Sequence, residues 1–190
     1  MSGAHGHGHA DSDNKKIALL ISVLALFLAL AETMAKGAQT NALSYNVEAS
    51  NLWAFFQAKT VRQTVVRTAG EMADFDRARN PDPALADAIA KRTDGWAKTV
   101  ARWESEPDTS EGRKELSARA KAAEDKRDTA LAKYHHCEVS SAAFQIAIVL
   151  ASATVITGAM ALAWGSIGLG VVGLVFAGIG LFAPHAVHLL

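Results

Sequence analysis

Val139–Leu190 reads VSSAAFQIAIVLASATVITGAMALAWGSIGLGVVGLVFAGIGLFAPHAVHLL, a run with no Asp, Glu, Lys or Arg. A water-soluble domain cannot present such a stretch to solvent, so its solvent is lipid. About 20 apolar residues cross a hydrocarbon core as a helix, which leaves room for two passes, 139–163 and 167–184, and a short tail, 185–190. Trp164, Gly165 and Ser166 are the expected turn.

Upstream, a third apolar run, Ile17–Ala31, follows Lys15 and Lys16 and extends through Met34 and Ala35, giving a first span over 15–36. Basic flank, apolar run and the small triplet Ala29, Leu30, Ala31 also fit a cleaved secretory signal. A retained anchor is the preferred reading, because small residues continue at helical spacing through the run. Residues 1–14, with alternating Gly and His, have almost nothing apolar to bury and are expected to be disordered.

Half the residues are hydrophobic and a fifth charged, but the two classes are segregated along the chain. Glu32–Glu138 holds seventeen Lys or Arg against seventeen Asp or Glu. Such interspersed, balanced charge gives no reason to expect nucleic acid as a partner. The one cysteine, Cys137, excludes an intrachain disulfide. Lys15 and Lys16 flank the first span, and the tail after Phe182 has no Lys or Arg. The positive-inside rule therefore puts the N-terminus in the cytoplasm and the helical region in the periplasm of a bacterial inner membrane.

Residues 37–138 are expected to form an extramembrane helical hairpin. Leu43, Val47, Ser50, Ala54, Ala58, Val61, Val65, Thr68, Met72 and Phe75 keep steps of three and four, the mark of one buried helical face. Asn80, Pro81, Asp82 and Pro83 stop that helix and start another, with Asp82 as its cap. The second helix carries Leu85, Ile89, Trp96, Val100 and Trp103 on one side. Glu104–Gly112 contains Pro107 and breaks it, and Ser110 or Asp108 is the expected cap of a third helix with Leu116, Ala120, Ala123, Leu131 and Tyr134 at helical steps. That third helix has no breaker before the second span. The fold class is all-α: three transmembrane helices with a long, coiled-coil-like helical hairpin between the first and second.

Within lipid there is little hydrophobic drive between helices, and small residues on one face allow close backbone approach. Each span offers such a face: Ala18, Ser22, Ala25 and Ala29 in the first; Ala147, Ala151, Thr154, Gly158, Ala161 and Gly165 in the second; Ser166, Gly170, Gly173, Ala177 and Gly180 in the third. Gly158, Gly170, Gly173 and Gly180 are the expected packing positions. Gly168, Gly170 and Gly173 also spell a dinucleotide-binding string, which needs a preceding strand and an aqueous crevice and is set aside here. An oligomeric pore has only Ser166, Thr154 and Thr157 as polar lining, and no charged or carbonyl filter.

Chemistry, if present, belongs with His135, His136, Cys137, His185 and His188, which three spans bring to one level. Imidazole and thiolate there suit a divalent transition metal, although no spacing motif accompanies them and the bland reading is a wet interface. His5, His7 and His9 are a weaker chelating tail. Glu32 and Lys36, at i and i+4, read as an interfacial anchor. Trp53, Phe55 and Phe56 are too dense for a solvated helix and indicate packing against a returning helix or a neighbouring subunit, with contact inside an oligomer the favoured reading. No nucleophile with a base, phosphate loop or carboxylate pair over a cleft is present, so the chain reads as no enzyme, with no cofactor beyond that metal.

Ala49, Ser50, Asn51, Leu52, Trp53, Ala54, Phe55, Phe56, Gln57, Ala58 and Lys59 form one recognisable stretch, and Phe144–Ser152 a second. With the His-containing N-terminus they resemble the uncharacterised bacterial family catalogued as domain of unknown function four-three-three-seven, over most of the chain. In that family the first stretch reads as an aromatic pair followed by Gln-Ala-Lys, matched by Phe55–Lys59, and the second as an apolar Phe-Gln approach to the membrane. Members often carry basic residues after the second span, whereas Gly158–Ser166 has none. The resemblance implies a three-span inner-membrane protein without an assigned activity. The functional expectation is a noncatalytic, self-associating scaffold or modulator of another membrane complex, with lipid as its constant partner.

Overall fold

The computed structural model describes the backbone of residues 7–79 and 82–187, with side chains from Asn14 onward. It is all-helical: α1 His7–Arg79, α2 Pro83–Glu104, α3 Arg113–Thr157 and α4 Met160–Phe182, with no strand among the described residues. Three of these, α1, α3 and α4, are long and apolar enough to cross a membrane. The backbone falls into two compact units, one made of residues 1–43 and 127–190, the other of residues 44–126.

The helix α1 has 73 residues and begins at His7, inside the stretch expected to lack order. Adding residues to an existing helix is far cheaper than nucleating one, so the turn ahead of the apolar run continues it. The buried face of α1 steps in sevens: Ile17, Leu24, Ala31, then Leu52 and Lys59, with Ala35, Ala42, Ala49 and Gln63 beside it. The helix α3 answers with Leu116, Ala123, Ala130, Cys137, Phe144 and Ala151, again every seventh residue and all buried. A seven-residue repeat keeps one seam facing a neighbouring helix over many turns.

This corrects the expected face of α1. Leu43, Val47, Val61, Val65, Met72 and Phe75 are exposed, and so are Ala54 and Ala58 between them. The face that is covered contains alanines and two polar residues instead, because small side chains let helices approach closely. The first small-residue seam is corrected in the same way: Ala18, Ser22, Ala25 and Ala29 are all exposed, and Ile17, Leu24 and Ala31 face inward.

In the first unit Leu24, Ala31, Phe144 and Ala147 form a core, flanked by Leu20, Phe27, Leu28, Ile148 and Leu169. The rings of Phe27 and Phe144 stack at 5.9 Å. The helix α3 runs unbroken from Arg113 into the apolar segment and ends at Thr157. The turn is Gly158–Ala159, not Trp164–Ser166, which lie within α4. Gly158 has φ +72, a left-handed conformation open to glycine without penalty, and its amide bonds the Thr154 carbonyl at 2.8 Å. Nothing lies within 4 Å of where its Cβ would be, so Gly158 closes a helix end and does not pack between helices.

In the second unit α1 and α3 are antiparallel: Lys126 sits over the Tyr45 ring, Trp53 Nε1 donates to Glu124 at 2.9 Å, and Lys59 meets the Glu111 carbonyl. Leu52, Leu116 and Ala120 are the core, with Trp53, Phe55 and Phe56 packed on it. Asp82 caps α2 as expected, its carboxylate accepting from the Ala84 amide at 2.9 Å, with Pro83 in the first turn. Asn80 and Pro81 lie outside the described residues. Ser110 is not the cap of α3, because that helix starts at Arg113 and Ser110 has φ 56. Glu115 closes the end instead, reaching back to the Ser105 hydroxyl at 2.7 Å and the Glu106 amide at 3.2 Å.

Candidate functional site

The histidine end of the first unit is assembled where α3 approaches the residues after α4. His136 is buried, and its Nε2 donates to the Pro184 carbonyl at 3.1 Å. Its ring lies against Phe176, and its Nδ1 is buried with no partner among the described residues. His185 Nε2 meets Thr129 Oγ1 at 3.0 Å. His135 pairs with Glu138 at 3.8 Å, and Cys137 is buried at 1% exposure, its sulfur 3.6 Å from where a Cβ on Gly180 would stand. His135, His136, His185 and Asp128 line one pocket of about 240 Å³. Among the described residues no three His, Cys, Asp or Glu side chains gather as a metal site. His188, and the side chains of His5, His7 and His9, lie outside the described residues. The residues expected to chelate thus share a neighbourhood, yet two ring nitrogens are occupied by a carbonyl and a hydroxyl.

Of the hydroxyls expected of a pore, those of Ser166 and Thr154 are buried and that of Thr157 is exposed. Ser166 donates across to the Ala147 carbonyl at 2.8 Å, Thr154 to Leu150 at 3.0 Å and Thr157 to Ala153 at 2.8 Å. Ser140 donates to the Gly173 carbonyl at 2.7 Å. A buried hydroxyl bonded in this way is glue between or within helices. Gly170, Gly173 and Gly180 are contact points inside this chain: a Cβ would lie 2.9 Å from Leu24, the Phe144 ring and His136 respectively.

The second unit holds a polar cluster that periodicity hides. Lys59 is 4% and Gln63 2% exposed, both on the covered face of α1. Lys59 reaches Glu106 at 3.5 Å as well as the Glu111 carbonyl, and lies over the Phe55 ring at 5.2 Å. Gln63 donates to the Val100 carbonyl at 3.0 Å and accepts from Arg113 at 2.9 Å. Arg113 also bonds Glu104 at 2.8 Å and stacks on Phe56 at 4.8 Å. The cluster clamps the 105–112 connection and the ends of α2 and α3 onto α1. The Ser105 hydroxyl holds the Glu115 carboxyl below the usual glutamate range.

Phe55, Phe56 and Lys59 of the recognisable motif therefore act as one device: two rings that seat two cations, and a lysine that anchors a turn. Sequence reasoning had the aromatic pair and missed Gln63, Glu104, Glu106 and Arg113. The available signal was Lys59 seven residues after Leu52. Glu32, expected to pair with Lys36, accepts from Gln145 Nε2 at 3.4 Å. Between α1 and α2 a groove of about 440 Å³ is lined by Arg67, Glu71, Asp74, Trp96 and Glu104 among others.

The chain matches the family described as Domain of unknown function (DUF4337) over residues 13–183, and it belongs to that family. No curated protein and no solved structure matches it.

Proposed function

We propose that this family member is a noncatalytic, multi-pass inner-membrane protein that self-associates and scaffolds or modulates another membrane complex. The observation that carries the membrane part is the outer surface of the three apolar helices. Leu19, Leu26 and Leu30 on α1, Val149 and Ile156 on α3, and Val171, Val175 and Phe182 on α4 are all exposed. In water such a surface would be costly, at roughly 25 cal/mol per Å²; in lipid it is the ordinary exterior. The interior, with glycine contacts and hydroxyl-to-carbonyl bonds, suits helices that associate without hydrophobic drive.

Lys15 and Lys16 support a cytoplasmic N-terminus and a periplasmic helical domain over 37–138. Separation of membranes by centrifugation, then mass measurement in mild detergent, tests the reading. Recovery of the full chain in the supernatant without detergent overturns the membrane assignment, and a detergent-solubilised monomer overturns self-association. Labelling of Asp108→Cys by a membrane-impermeant maleimide in intact cells tests the sidedness.

A second reading, transition-metal binding or metal-linked transport, is favoured by one observation: His135, His136 and His185 line the same pocket. Elemental analysis of protein lacking residues 1–14 separates the readings, since His5, His7 and His9 are then gone.

A further inference from the structure

The helix α1 carries two heptad seams, and this chain fills only one of them. Leu52, Lys59 and Gln63 face inward, whereas the opposite face, from Val47 to Phe75, is open. On that open face Val47, Val61 and Phe75 fall at one core position of a heptad, and Asn51, Val65 and Met72 at the other. Ala54 and Ala58 continue the pattern between them. Val47 is 58% exposed, Val65 62%, Met72 66% and Phe75 61%. An apolar stripe that keeps a 3,4 alternation over four heptads on the outside of a helix has the pattern of a coiled-coil seam.

We infer that this seam is covered by α1 of a second copy of the same chain, running parallel and in register. Three features of the chain select that occupant. With roughly 60% of each large side chain open, the stripe offers on the order of 700 Å² per partner, close to the ~800 Å² per side of a standard stable interface. Copies of a multi-pass chain share one orientation in a membrane, so, on the membrane reading above, their α1 helices run the same way. Asn51 is the single amide-bearing residue at a core position, and in a parallel pair it meets its own copy, the arrangement that fixes register. The seam also has a physical end. Glu71 and Asp76 occupy the flanking positions where like charges meet across a parallel pair, and Arg79 takes the next core position after Met72, so the contact stops at Phe75.

Disulfide trapping in native membranes tests the proposal, using the full-length chain with Cys137→Ser and one new cysteine at a time. Val47→Cys and Phe75→Cys lie at opposite ends of the seam, so both self-link under mild oxidation only if the helices are parallel and in register. Each should give a covalent dimer at least about tenfold above Arg67→Cys, which lies outside the core positions of the seam. All three positions are exposed, so the substitutions leave the fold of the chain intact. Linking only when Val47→Cys and Phe75→Cys chains are mixed means antiparallel contact and overturns the proposal. Equal linking at Arg67→Cys, or none at either end in protein recovered from the membrane pellet, overturns it as well. Protein absent from that pellet overturns the membrane reading instead, so the two failures are told apart.

Discussion

In the unit of residues 1–43 and 127–190, a phenylalanine ring rests on a glycine, and Ser140 and Ser166 reach carbonyls of neighbouring helices. In the unit of residues 44–126, a lysine and a glutamine are buried, two aromatic rings seat cations, and carboxylates hold the connection between helices. Both are helices packed on helices. The first associates by close approach, which suits the lipid setting proposed above, where apolar contact gains little over contact with acyl chains. The second buries aromatic area and bonds the Lys59 and Gln63 side chains it has enclosed, while Arg113 Nε has no partner among the described residues. The two units are built from different materials, and substitutions that suit one should harm the other.

The largest effect is expected from Lys59→Met. It removes the cation that Glu106 and the Glu111 carbonyl share, and breaking a buried pair in this way costs about 3 kcal/mol. Proteolysis within 105–112, followed by mass spectrometry, should accelerate, while membrane recovery stays unchanged. If the connection remains protected, the polar clamp is not what holds the second unit.

Next comes Gly173→Ala. The new methyl meets the Phe144 ring at 2.9 Å, and overpacking of this kind costs about 2 kcal/mol. Gly168→Ala, with nothing within 4 Å, should be silent. Melting in mild detergent measures both, and equal melting points would refute close approach as the principle of the first unit. Ser140→Ala, which deletes the hydroxyl bond to Gly173, should lower stability by a smaller amount, about 1 kcal/mol.

The smallest effect depends on pH. Glu115 titrates lower in the folded chain because Ser105 bonds its ionised form. Its contribution is therefore complete above the unfolded glutamate range and is lost as pH falls through the lower folded value. Hydrogen exchange at the amides of Ser105 and Glu106 should quicken in that acid window, and Glu115→Gln should abolish the dependence.

The helical class, the apolar segments and the breaks at Asp82–Pro83 and 105–112 were legible in the sequence, because proline and charge leave unambiguous marks. The inward face of α1 was not. Val61, Val65, Met72 and Phe75 look like core by size, yet the covered face carries Ala35, Ala42 and Ala49, and bulk is a poor guide to burial there. Lys59 and Gln63 read as solvated residues until their partners on α2, α3 and the connection are known. The turn at Gly158 was missed because Trp164–Ser166 offered a polar landmark, whereas the deciding property is a positive φ that glycine supplies without any polarity.

That two-residue turn also constrains how the protein is made. Its amides are already engaged: Gly158 bonds Thr154, and Ala159 bonds the Thr157 hydroxyl at 3.3 Å. A connection so short and so self-sufficient has no slack with which to thread one helix and later the other. On the membrane reading proposed above, α3 and α4 would enter the bilayer as one folded pair, and lengthening their joint would separate their insertion.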